Sequence, residues 1–388
     1  MRKKLINAVK EVLLIPKKTT ELINRVKVLQ TELGKKTNDI KRDLVVRSNG
    51  LRGELINRTK EIRLELNTMQ VINKRFRLHY DEASQYYKTI CNFSSYQSRS
   101  DFSNIYLDLI SGLDYESRET VTRIHRRIEM FLEAGGKIDI FTDTEKERLG
   151  YQMDWYQNNV FHLGEDLWAF GGYFLPQSVT QHLTHQFFDK YGTNQIENKE
   201  KIINKHIIDA GAYIGDSLLI LSPLTHKQVH CFEPTTKTFE AINKTIKYND
   251  ISNAIPVKAA LGDKTGKSRF FVMSADMGKL DSIIEASSQE YEQEEVDVMT
   301  LDSYVENLNL EVGLVKVDVS GAEQLFLDGA KKTIVSQKPT LLISIYHNPE
   351  DFYFIKPIVE SWDLGYKFKI HKPIQRDIIG ETTLICEA

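Results

Sequence analysis

The sequence predicts an α/β protein. Its C-terminal half reads as a mostly parallel sheet with an antiparallel edge at the C-terminus, preceded by a helical region and an N-terminal coiled coil. Three observations predict this. From about residue 200, β-branched runs ("HIID", "VHCFE", "IPVKAAL", "GLVKVDV", "TLLISIY") alternate with helical stretches at 237–248 and 321–335, the pattern of βαβ units. The end, "YKFKIHKPIQRDIIGETTLICEA", instead offers two strands joined by a turn-rich link, an antiparallel pair at a sheet edge. Residues 20–76 lack proline and repeat apolar residues at helical spacing.

That first segment sets the order of the chain. Leu33, Ile40, Leu44, Leu51, Leu55, Ile62, Leu66 and Met69 recur mostly at steps of 3, 4 or 7, which fits a two-stranded coiled coil with a stutter near Leu51–Leu55. Gly34, Gly50 and Gly53 weaken it by about 1 kcal/mol each relative to Ala. A long helix packed on the body of the same chain is the alternative. Charge separates the same segment from the rest. Residues 1–80 hold 20 Lys/Arg against 8 Asp/Glu, and the remainder holds 31 against 46. A basic arm on an acidic body suggests two separate jobs, with self-association expected for the arm and peripheral contact with an anionic membrane face as a further option.

Several classes are excluded early. Cys91, Cys231 and Cys386 are far apart and form no C-x-x-C, which argues against a disulfide framework or a zinc ribbon and for a reducing cytoplasm. No run of about 18 apolar residues suggests a membrane span. The start, "MRKKLINAVKEVLLIP", is interrupted by Lys10 and Glu11 and makes a poor signal peptide. The domains expected are 1–78, a basic long helix or coiled coil; 79–199, a mainly helical accessory region; and 200–388, the sheet domain.

In the middle region, "SNIYLDLISGLDYESRETVTRIHRRIEMFLEAGG" reads as two helices, the second capped by Asp114 with Glu116, Ser117 and Glu119 in its first turn. Trp155, Trp168 and Tyr173 belong to an aromatic cluster that could stack on sugars but more simply forms a small core. His182 and His185 sit three apart, yet no patterned carboxylate accompanies them and no metal is expected.

The chemistry concentrates in "IIDAGAYIGDSLLIL", 207–221: a strand, Asp209, glycines at 211 and 215, and a helix starting at Asp216–Ser217. Such a turn builds a ligand site at the carboxyl end of a parallel strand. Its G-x-x-x-G spacing is not the G-x-G-x-x-G that seats a pyrophosphate, and Asp209 would repel one; it suits a ligand with an amino group. Glu233, 24 residues on and ending the next strand before Pro234, can accept both ribose hydroxyls. An amino-acid cation at one strand end and a ribose at the next describe S-adenosyl-L-methionine. Asp209 is then expected near the methionine amino group, directly or through water. Gly211, Ala212, Tyr213, Gly215 and Asp216 wrap the methionine, Glu233 and Pro234 hold the ribose, and Ala260 and Leu261 border the adenine.

With "DAGAYIGD" at 209–216, "FEP" at 232–234, "AALGD" at 259–263, "LDSYVE" at 301–306, "VKVDVSGAE" at 315–323, "ISIYHNPED" at 343–351 and the terminal "ETTLICEA", the chain resembles the FkbM-type methyltransferases. The resemblance covers 200–388, continues weakly through "YLDLISGLD" at 106–114, and leaves the coiled-coil region outside. It implies the class I, Rossmann-like methyltransferase fold and transfer of a methyl group from S-adenosylmethionine to a hydroxyl of a sugar, glycan or related metabolite. One departure stands out: the family places a second acid where this chain has Ser320, which weakens the case for a metal-assisted mechanism.

Candidate acid–base residues lie at strand ends facing the methyl group: Asp318 after "LVKV", His347 after "LLISIY", and Glu323, which on its helix could instead hold backbone or Lys316. Two other classes compete. A nicotinamide-dependent oxidoreductase shares the sheet but needs the tighter glycine pattern. A coiled-coil scaffold with a degenerate methyltransferase-like domain would not need Asp209, Glu233 and Asp318 all intact. No nucleic acid is expected as partner, because the body is acidic and carries no N-P-P-Y-type tetrad.

Overall fold

The computed structural model describes residues 2–76, 78–79, 85–177, 186–272, 278–280 and 292–388. His182 and His185 lie outside the described residues. Two compact units divide between Arg75 and Phe76.

The first unit is one helix, α1 (Arg2–Phe76), 75 residues long and so about 110 Å at 1.5 Å per residue. It runs on through Gly34, Gly50 and Gly53. Leu33, Ile40, Leu44, Leu51 and Leu55, the apolar repeat, are 61–69% exposed. An apolar stripe left in water on so long a helix marks a surface that needs a partner.

The second unit is built on a seven-stranded sheet. Its strands are β1 (His206–Ala210), β2 (Val229–Phe232), β3 (Ala254–Val257), β4 (Val312–Val317), β5 (Thr340–Ser344), β6 (Lys367–His371) and β7 (Thr383–Glu387). The order across the sheet is β6-β7-β5-β4-β1-β2-β3. β3, β2, β1, β4 and β5 pair in parallel, whereas β7 is antiparallel to both β5 and β6. The expected edge pair is therefore present, with its second strand inserted beside β5. Central β4, "VGLVKV", is buried at all six positions, as a parallel strand covered on both faces must be.

Helices cover the sheet. α2 (Gln85–Gln97), α3 (Phe102–Ile110), α4 (Tyr115–Glu133) and α5 (Asp143–Asn159) come from the middle region. Ile90, Phe93, Leu109, Ile124 and Phe131 of that region share one core with Ile208, Val315, Val317 and Ile343 of the sheet. The middle region is thus fused to the sheet rather than appended to it. Capping sets its boundaries: the Asp114 carboxylate accepts from the Ser117 N–H at 2.8 Å, and Thr142 and Glu145 form a capping box at the start of α5.

After β1 the expected helix begins at Leu218, not Asp216, and lasts one turn as α6 (Leu218–Leu221) before a 3₁₀ turn carrying Pro223. α7 (Thr236–Tyr248), α8 (Leu301–Leu308), α9 (Glu323–Gln337) and α10 (Pro349–Glu360) complete the α/β layers. Three small sheets were not expected from the sequence, the shortest pairing Leu78–His79 with Lys137–Ile138. Val160–Gly164, Leu167–Phe170 and Tyr173–Leu175 form an antiparallel trio. Ala260–Leu261, Gly266–Val272, Gly278–Leu280 and Glu292–Met299 form a four-stranded sheet. The aromatic cluster is mainly a packed core: the Trp155 ring meets Phe170 at 5.1 Å and Phe188 at 5.3 Å, while Trp168 stacks on His162.

Candidate active site

Because β1, β2, β4 and β5 are parallel, their carboxyl ends deliver Asp209, Glu233, Asp318 and His347 to one edge of the sheet. Asp209 is fully buried. Its Oδ2 accepts from the Ser217 hydroxyl at 2.5 Å, and its Oδ1 lies 3.2 Å from Lys316 Nζ. Lys316, from the neighbouring β4, also donates to the Gly211 carbonyl at 2.8 Å. Burial works against the lysine's charge, but Asp209, with Asp318 and Asp216 beyond it, holds its pKa above the ordinary value. The acid sits behind the glycine loop and fastens it, as a buried charge must find a partner.

The loop itself is clamped from both sides. Gly211 and Ala212 N–H groups donate to the Phe232 carbonyl at the end of β2, at 3.1 and 3.0 Å. On the other side, the Asp318 N–H donates to the Ala210 carbonyl at 2.9 Å. Gly211 has φ +78, and a Cβ there would stand 1.8 Å from the Asp318 carbonyl oxygen. Only glycine lets these two backbones meet. Gly215 follows with its N–H on the Ala212 carbonyl at 2.7 Å.

Tyr213 occupies the left-handed region at φ +46. Its N–H donates to Glu233 Oε2 at 3.0 Å, and its hydroxyl accepts from Gln177 Nε2 at 2.8 Å. Strain of this kind persists only where surroundings enforce it, and it gathers at functional sites. Glu233 Oε1 accepts from the Thr238 hydroxyl at 2.7 Å. Burial pushes the Glu233 carboxyl up to about 7, the Thr238 hydroxyl and nearby N–H groups opposing. Pro234 is buried beside it and leads into α7. Asp216 is buried and accepts from the Tyr191 hydroxyl at 2.5 Å; burial raises its carboxyl above the usual range. Ala260 and Leu261 are buried on a short strand parallel to Val298–Met299.

A second group stands where β4 and β5 end. His347 Nδ1 is 2.9 Å from Glu323 Oε1, and Nε2 is 3.4 Å from Asp318 Oδ1. These are ion-pair distances; Nδ1 is out of line for a hydrogen bond and makes none. Glu323, fully buried at the start of α9, also accepts from the Val319 N–H at 2.9 Å and so ties the turn before it. It does not reach for Lys316. The Tyr346 hydroxyl donates to Asp318 at 3.3 Å. Burial opposes the His347 charge, but Glu323 and then Asp318 outweigh it and raise the imidazole to about 9. Asp351, buried against Glu323, is pushed up to about 8. Ser320, at φ +57, lies in the turn between Asp318 and Glu323. The ligand atoms of Asp318, Glu323 and His347 lie within 4.8 Å of one another, a spacing that could take a cation; at neutral pH the imidazolium proton already supplies positive charge there.

Sequence reasoning took Lys316 only as a possible partner of Glu323, and it missed Tyr191 and the buried Glu381, whose carboxyl is pushed up to about 8 by burial and then by Asp318. Lys316 had a signal: a lone lysine in a strand otherwise apolar is rarely buried unpaired. Tyr191 and Glu381 had none, since their partners are far away in the chain.

Residues 209–368 match the model of the methyltransferase FkbM domain. Among solved structures, the chain is similar to methyltransferase FkbM from Methylobacillus flagellatus KT at 17% identity and TM-score 0.36, over 65% of this chain and 63% of that one. It is also similar to an rRNA methylase from Streptococcus thermophilus (12%, TM-score 0.30, 54% and 95%). A third likeness is Aeropyrum pernix fibrillarin with bound S-adenosyl-L-methionine (11%, TM-score 0.31, 52% and 74%). The chain thus spans a little under two thirds of the length of the Methylobacillus structure. No curated protein matches the sequence. Over residues 209–368 the chain is thus similar to the methyltransferase FkbM domain.

Proposed function

We propose that the protein transfers a methyl group from S-adenosylmethionine to a hydroxyl of a sugar, a glycan or a related metabolite. The observation that carries this is the shared edge: a glycine loop fastened by Asp209 and Lys316, Glu233 one strand away, and the Asp318–His347–Glu323 group on the other side. Glu233 takes the ribose hydroxyls as a carboxylate. Gly211, Ala212, Tyr213 and Gly215 wrap the methionine, Asp209 acts on its ammonium from behind the loop, and Ala260 and Leu261 border the adenine.

Transfer is an in-line displacement: the new O–C bond forms as the C–S bond breaks, and its electrons go to sulfur. Holding the acceptor in line supplies roughly 7–11 kcal/mol of the barrier. A base adds about 10²–10⁴-fold. His347 is an imidazolium at neutral pH, so the hydroxyl proton goes to Asp318, with His347 and Tyr346 orienting that carboxylate. Glu323 positions His347.

In this reading α1 pairs with a second copy along its exposed apolar stripe, giving a homodimer. Its basic excess suits peripheral contact with the anionic inner membrane face, the protein being otherwise cytoplasmic. No helix among the described residues is long and apolar enough to cross a membrane. The acidic body argues against nucleic acid as acceptor. The test is methyl-labelled S-adenosylmethionine offered with a panel of glycans. Label should enter an oxygen-linked methyl in the wild type and fall at least about a hundredfold in Asp318→Asn; transfer only to RNA or protein would overturn the acceptor assignment.

A further inference from the structure

A cavity of about 320 Å³ opens between α4, α5, the end of β6 and the segment 188–195. Its size falls in the range of small-ligand sites. Both of its walls are tied to the reaction centre. On one side, Phe188 and Asp189 line it, and two residues on Tyr191 reaches Asp216 in the cofactor loop. Tyr191 holds φ +54 to do so. On the other side, Lys372 lines it. That amine shares a field with the buried Glu381 carboxyl, which in turn feels Asp318 and His347. The sheet gives the separation: β6 is parallel to β5, so His371 ends at the same edge as Asp318, three strands away, or roughly 14 Å at one strand spacing each.

Part of the charge in the cavity is paired and part is not. Asp189 is held by His371 at 2.8 Å, Asp114 caps α4, and Lys369 is bound to Glu197. Arg123, Arg148 and Lys372 remain. Arg123 bonds only the Thr120 hydroxyl, Arg148 lies over the Phe188 and Tyr151 rings, and Lys372 donates to the Pro373 carbonyl. None of the three has an ion pair among the described residues, although Asp377, Glu381 and Glu145 act on Lys372; Glu116 also lines the cavity. Guanidinium groups of this kind recognise planar or tetrahedral oxyanions.

We infer that this cavity is an acceptor subsite for an anionic group, carboxylate or phosphate, carried by a sugar chain whose methylated hydroxyl reaches Asp318. The acceptor is then an acidic oligosaccharide rather than a monosaccharide. This deepens the proposed function and rests on it.

The full-length protein saturated with S-adenosylhomocysteine would be titrated with three probes: a tri-uronate, the matched neutral trisaccharide, and a hexose 1-phosphate. Either acidic probe should bind at least about tenfold more tightly than the neutral one, and which of the two binds names the oxyanion. Arg123→Gln with Arg148→Gln should remove that preference while S-adenosylhomocysteine affinity and the unfolding midpoint stay as in wild type. Equal binding of the neutral probe, no binding of any probe, or an unchanged preference in the double variant would overturn the subsite. Failure of S-adenosylhomocysteine to bind would instead overturn the methyltransferase reading beneath it.

Discussion

Replacing Gly211 with alanine tests how the site is assembled. The new Cβ would stand 1.8 Å from the Asp318 carbonyl oxygen, where an ordinary carbon–oxygen contact needs about 3.3 Å. The loops must part by about 1.5 Å, which breaks the 2.9 Å bond from the Asp318 N–H to the Ala210 carbonyl. Losing that buried bond costs about 1–3 kcal/mol. A left-handed alanine adds about 1–2 kcal/mol, giving about 2–5 kcal/mol in all. Gly365 is the control: its φ is +77, but nothing lies within 4 Å of its Cβ position, so Gly365→Ala should cost only the conformational part, about 1–2 kcal/mol. Urea unfolding followed by circular dichroism gives both numbers, and calorimetry gives the S-adenosylhomocysteine affinity of each. Gly211→Ala should lose more stability than Gly365→Ala, and it alone should lose affinity. Equal losses with affinity intact would refute the claim that the close approach of these loops forms the cofactor site.

Three further outcomes are expected. Burial lifts the Glu233 carboxyl from 4.5 to about 7, so its stabilising contribution is full below pH 4.5 and is lost as pH rises through 7, whereas cofactor affinity, which needs the carboxylate, rises over the same window; Glu233→Gln should flatten both profiles in pH-dependent unfolding and calorimetry. His347, raised from 6.5 to about 9 by Glu323 and Asp318 against the cost of burial, contributes stability that is full below pH 6.5 and lost as pH rises through 9. His347→Gln should remove that alkaline limb and lower kcat with little change in S-adenosylhomocysteine binding. Leu44→Asp with Leu51→Asp, on the exposed stripe of α1, should shift the sedimentation coefficient from dimer to monomer and leave the unfolding of the body unchanged; a wild type that sediments as a monomer would remove the coiled-coil pairing.

The parallel core was legible because β1, β2, β4 and β5 are almost wholly buried and read as mainly apolar runs, with single polar residues such as His230 and Lys316 inside them. The C-terminal pair was legible from its turn-rich link. The Glu292–Met299 strand was not: "EQEEVDVM" is largely polar and pairs with a neighbour at a sheet that faces solvent on one side. The short strands of 160–175 did carry a turn signal, Gly171-Gly172 between "LWAF" and "YFL", but the aromatic run around it read as a small core. In the site, the residues that end strands were visible one by one, since each follows an apolar run. What the sequence did not reveal was their coupling. Asp209 was expected at the ligand, yet its partners are Ser217 and Lys316, the latter 107 residues away. Tyr191 and Glu381 enter through long-range packing that no local pattern encodes.

The central claim is that the edge formed by the Gly211 loop and Glu233 binds S-adenosylmethionine. Calorimetric titration of the purified protein with S-adenosylmethionine and S-adenosylhomocysteine, with NAD as control, tests it most directly. The account predicts saturable binding of both sulfur ligands, no binding of NAD, and loss of binding in Glu233→Ala at unchanged fold. Binding of NAD alone, or of no ligand by a folded protein, would contradict it.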